Sequence, residues 1–215
     1  MKRTILTAAI LMILGTAMAQ QTNFESAMKE TLTLFDSAKT ANDIQAVASR
    51  FERIATTESS KWEPFYYHAF AYINLSFREK DGDKKDALLD IAQKSIDKAL
   101  EVNGDKSELY ALQGFLYQGR IQVSSMRGMT YSQKASDILE KAVKENPKNP
   151  RALFLLGQNI YYTPKMFGGG SQNALPKFQE AKALYESENG KTGINPKWGS
   201  KSNQRMLDTC LKENS

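Results

Sequence analysis

Small residues recurring at long, nearly equal intervals constrain this chain more than any other feature. Ala69, Gly114 and Gly157 stand at 45- and 43-residue intervals, each inside an apolar stretch with helical spacing. A second stretch follows each, with small residues seven apart: Ala92 and Ala99, Ala135 and Ala142, Ala174 and Ala181. A small residue lets two helices approach closely, and a repeat of helix pairs buries its apolar faces by stacking each pair on the next. The chain is therefore expected to be all-α, with one continuous core shared along a row of pairs.

The copies align in more than their small residues. One runs Tyr110, Gly114, Tyr117, then Ala135, Leu139, Ala142 and Pro147. The next runs Leu153, Leu156, Gly157, Ile160, then Ala174, Phe178 and Ala181, and an earlier one Phe65, Ala69, Tyr72, then Ala92, Ile96, Ala99 and Gly104. This pattern resembles the tetratricopeptide (TPR) signature over about Lys61 to Ser187. The resemblance implies a right-handed α-solenoid of antiparallel helix pairs. The intervals exceed the TPR period of about 34 residues, and the surplus is expected between the two helices of each pair, in longer helices or inner loops.

The flanks extend the pattern. Residues 20–58 carry two further apolar stripes, Leu32, Phe35, Ala38 and Val47, Phe51, Ile54, Ala55, which predict an N-terminal helix pair turning at Thr40 to Asn42. The repeats occupy 59–190. Within 191–215, Asn195 and Pro196 punctuate the chain before a capping helix from about Lys201 to Lys212, with Ser200 as its N-cap. Met206, Leu207, Cys210 and Leu211 share one face of that helix, so the single cysteine is expected in the core.

The first nineteen residues predict export. Lys2 and Arg3 precede an apolar run from Ile5 to Leu14, and Ala17 and Ala19 supply the small residues of a cleavage site after Ala19. The product is expected in the periplasm or outside the cell. No other run approaches the roughly 20 residues of a transmembrane segment, and no cysteine follows the cleavage site to carry a lipid. Loss of the leader lowers the formal charge from +5 to +3, weak support for a nucleic-acid partner.

Three candidate chemical motifs read better as structure. Gly168, Gly169 and Gly170 lack the strand and the Gly-Lys-Ser or Gly-Lys-Thr of a phosphate loop, so they are expected to turn the chain, with Phe167 plugging the core and Ser171 capping the next helix. Asp81, Asp83, Asp86 and Asp90 miss the spacing of a calcium loop. His68 is the only histidine and lies in an apolar helix, which removes multi-histidine metal sites and points to a packed, hydrogen-bonded role. No catalytic residue, metal site or cofactor is expected, and the chain does not read as an enzyme.

What packing does not absorb is a second apolar stripe on the first helix of each pair. The TPR resemblance places this stripe on the concave groove, which implies Tyr66, Phe70 and Asn74 from the first clear repeat, Phe115 and Gln118 from the second, and Arg151, Phe154, Gln158, Tyr161 and Tyr162 from the third. An apolar, amide-rich groove suits a peptide or a small amphiphile better than a polyanion. The leading expectation is a protein-binding adaptor or scaffold of the cell envelope. The alternative is a periplasmic carrier of a small amphiphilic ligand, as in transporter-associated TPR proteins. Sideways packing of the long helices would instead fill the groove.

Overall fold

The computed structural model describes residues 23–188 and 192–215; the expected leader and its cleavage site lie outside the described residues. Helix α1 (23–37) and α2 (Ala41–Thr57) form the N-terminal pair. Three pairs follow: α3 (Glu63–Arg78) with α4 (Gly82–Glu101), α5 (Lys106–Ile121) with α6 (Gly128–Glu145), and α7 (Pro150–Tyr162) with α8 (Ser171–Ser187). Helix α9 (Ser200–Glu213) packs on α8 and caps the row. The architecture is an all-α solenoid. No described helix is long and apolar enough to cross a membrane.

Side chains at the turns set the boundaries. Thr40 accepts a hydrogen bond from Asp43 N, and the Asp43 carboxylate accepts from Thr40 N, a reciprocal cap that starts α2 at Ala41 rather than after Asn42. Those bonds hold the Asp43 carboxyl below its usual range. Asp81 accepts from Lys84 N and caps α4, the structural use that its failed calcium spacing left open. Asp105 and Asn149 cap α5 and α7 in the same way. In the first clear pair only residues 79–81 join the helices, so the surplus over a TPR unit lies in helix length, 16 and 20 residues. In the next two pairs it is shared with the inner loops 122–127 and 163–170.

Gly114 and Gly157 do what their spacing suggested. A Cβ on Gly114 would lie 2.5 Å from Leu139 Cγ, and one on Gly157 would lie 2.9 Å from Phe178 Cε1. Leu139 is fully buried and cannot swing aside. Gly114→Ala should therefore destabilise the protein by about 1–3 kcal/mol from overpacking, more than the gain of about 1 kcal/mol in helix propensity. Gly128, whose Cβ would meet nothing within 4 Å, is the control position. Urea denaturation of both alanine variants checks the sign.

Four local expectations need correction. Gly168 and Gly170 have φ of 81° and 96°, and a Cβ on Gly169 would run into Thr163 O, so the glycines do turn the chain. Gly170, however, occupies the N-cap; Ser171 is the first residue of α8, and its hydroxyl donates to Asn214 Oδ1 at 2.8 Å. Phe167 is 62% exposed at the end of a short 3₁₀ turn and plugs nothing. Gly199, not Ser200, sits at the N-cap of α9 with φ 107°, because a side chain there would collide with the Tyr185 hydroxyl. On α9, Leu207 and Cys210 are buried as expected, while Leu211 is 47% exposed. Burial raises the Cys210 thiol above its usual pKa.

His68 is buried in α3 with Nδ1 2.7 Å from Ser95 Oγ, and burial lowers its pKa. The main core forms two clusters. One joins Met28 and Phe51 to α3, α4 and α5; the other joins α6, α7, α8 and α9. Phe115, Tyr117 and Trp198 pack against both.

Candidate functional site

The first helices of the pairs, α3, α5 and α7, place an aromatic row along the inner face, and a segment after α8 crosses it. Tyr67 donates to Ile194 O at 3.0 Å, and Ile194 is buried in the N-terminal core cluster. Four residues on, Trp198 lies nearly parallel to Phe70, with ring centroids 4.7 Å apart and planes at 18°, and to Phe115, at 5.7 Å and 27°. Its indole N–H donates to the Tyr66 hydroxyl at 2.9 Å. Residues 192–199 therefore form a strap from the last pair back to α3.

Beside Trp198 the strap leaves a cleft of about 680 Å³. Phe70, Phe77, Phe115 and Phe154 give it apolar walls, and Asn74, Gln118 and Gln158 add amides. Ser202, Arg205 and Met206 of α9 form its other side, and Tyr162 stands at the rim. Gln118 donates to Leu155 O at 2.9 Å, which leaves its buried Oε1 without a hydrogen-bond partner in the cleft wall. Among the described residues the lining includes no Asp or Glu and no His or Cys.

Seven of the ten groove residues named from the sequence thus line one cleft: Phe70, Asn74, Phe115, Gln118, Phe154, Gln158 and Tyr162. Three do not. Tyr66 is 0% exposed beneath the strap, and burial lifts its phenol far above the usual value. Arg151 is 3% exposed and grips Glu108 through two nitrogens, with Nε 2.8 Å from Oε2 and Nη2 2.7 Å from Oε1. A third nitrogen, Nη1, reaches Glu188 Oε2 at 3.0 Å. Burial raises the Glu108 carboxyl, and the guanidinium opposes that shift. Tyr161 faces α9, donating to Glu213 at 2.6 Å, and that bond pushes its phenol up to about 12.

No periodic signal marks Trp198, Arg205 or Met206 as cleft residues. The strap is a stretch of Gly, Asn, Pro and Lys. The available hint was chemical: Ile194 and Trp198 are isolated large apolar residues in a polar run, which require something to cover them.

Solved structures of other proteins share this fold. The HusA haemophore from Porphyromonas gingivalis is 31% identical, with a TM-score of 0.82 over 89% of this chain and 94% of that one. The chain belongs to the HusA family. TTC0263, a TPR protein of Thermus thermophilus, superposes with a TM-score of 0.64 over 89% of this chain and 83% of that one at 15% identity, and shares the fold. No protein-family model matches the sequence, and no curated protein does. The HusA family therefore has a TPR-like solenoid, as the small-residue repeat suggested.

Proposed function

We propose that this protein is an exported carrier that holds a flat, amphiphilic ligand of the haem class in the cleft beside Trp198. The observation that carries the reading is the stack of Trp198 on Phe70 and Phe115, with ring planes within 27° of the indole. The three rings touch one another and so make one continuous flat aromatic wall of the cleft rather than a slot; such a wall suits a planar ring system laid against it, and a cleft of this size takes a small molecule rather than a folded partner. Kinship with a haemophore supports the same ligand class, and the run from Lys2 to Ala19 supports export.

The described lining has no imidazole or thiolate and offers only Tyr162 and Met206 as side chains able to ligate iron, whereas aromatic faces and amides make up most of the wall, so recognition is assigned to the ring faces. Iron-free protoporphyrin IX is therefore expected to bind alongside haem. Titrating each into the purified protein and following the Soret band should give a saturable shift at one ligand per chain. If neither ligand shifts, the carrier reading fails.

The adaptor reading has an observation of its own. Met126, Met129, Met166 and Phe167 are large apolar side chains exposed in or beside the two inner loops, as protein-contact surfaces often are. Failure to take up a tetrapyrrole, with retention of a defined envelope protein lost on Phe167→Ser, would put the adaptor in the carrier's place.

A further inference from the structure

Resting on the carrier reading, we infer that Arg205 is the anion-binding residue of the cleft and that the ligand carries its carboxylate on the edge facing α9. Helix α9 has two faces. Asn203, Leu207 and Cys210 are buried, Asn203 donating to Phe178 O at 2.9 Å, while Ser202, Arg205 and Met206 turn to the cleft. The i, i+3, i+4 spacing of that second trio makes it a single stripe. An unbroken apolar stripe would suffice to pack a cap. This one places a guanidinium in its middle.

Arg50, Arg120, Arg127 and Arg151 each pair with a carboxylate and Arg78 donates to Lys39 O, all within the fold; what sets Arg205 apart is its place in the cleft. Arg205 pairs with no carboxylate among the described residues; its Nη2 donates to Ser202 Oγ at 3.0 Å, and it is exposed. Among the described residues it is the one cationic side chain lining the cleft, and none of those lining residues is acidic. That charge pattern rejects a cationic amphiphile and accepts an anionic one. The guanidinium forks naturally onto a carboxylate, and the hydroxyl of Ser202 holds one of its nitrogens at the rim. A ring system with carboxylates on one edge would lay its apolar body against the half-buried rings of the wall, Trp198, Phe77 and Phe115, and its charged edge toward α9. Because Arg205 is open to solvent, its effect is modest.

The test compares mesoporphyrin IX with its dimethyl ester, which keeps the ring and removes the charge. Native protein should bind the acid more tightly than the ester by about 3- to 10-fold, the range of a solvent-screened charge-assisted contact. Arg205→Gln should abolish that preference by weakening the acid alone, and Arg205→Lys should restore part of it. Equal acid preference in native protein and Arg205→Gln, both folded by circular dichroism, would overturn the assignment while leaving the carrier reading intact. Failure of native protein to bind either compound would remove the carrier reading itself and this inference with it.

Discussion

Replacing Arg151 by alanine should cost about 3 kcal/mol of folding stability, because it leaves the nearly buried Glu108 carboxylate, at the edge of a polar cleft, without its main partner. Arg151 holds Glu108 bidentately and also bonds Glu188, on the connection that leads from α8 into the strap. The remaining contact to Glu108 from Tyr66, at 3.5 Å, is too long to compensate a buried charge. The loss carries a pH signature. Burial already raises the Glu108 carboxyl, and without the guanidinium its folded-state pKa rises further above its unfolded value. A raised folded-state pKa penalises the folded state once the pH exceeds the unfolded value, so the deficit relative to native protein should shrink as the pH falls toward about 4. Urea denaturation at about pH 7 and about pH 4.5 checks both size and sign. A double replacement, Arg151→Met with Glu108→Leu, should be less damaging than Arg151→Ala, since it removes both charges together.

Trp198→Ala should have the largest effect on binding. The ring lines the cleft and stacks on two other rings of its wall, the placement of an anchor side chain, and removing such an anchor typically costs about 2 kcal/mol or more, roughly 30-fold in affinity. Trp198→Phe separates stacking from the hydrogen bond. It retains an aromatic face, loses the N–H donated to Tyr66, and should keep most of the affinity. Soret titrations of the two variants, with circular dichroism to confirm folding, distinguish these contributions. Equal affinity in native protein and Trp198→Ala would place the ligand elsewhere.

The helix pairs were legible because their chemistry is local and periodic. Gly114 against Leu139 and Gly157 against Phe178 follow from small residues at fixed places in each unit. The buried ion pair was legible in principle. Glu108 and Arg151 are 43 residues apart, one repeat interval, so opposite charges at equivalent places in adjacent units come into register. Carrying family groove positions over directly placed Arg151 and Tyr66 on open surface instead. Both are covered, Tyr66 by a strap whose sequence has no helical period, and a segment that crosses from the last pair to α3 leaves no mark in nearest-neighbour spacing. Phe70, Phe115 and Phe154 reach one cleft because they lie on consecutive first helices, a placement that the repeat interval makes readable.

That cleft can be interrogated through its own fluorophore. The chain has two tryptophans, and Trp62→Phe leaves Trp198 as the only one. Protoporphyrin IX titrated into Trp62→Phe protein should quench Trp198 emission saturably, with an end point at one ligand per chain. Trp198 emission that stays unchanged through a large molar excess of ligand would contradict the account.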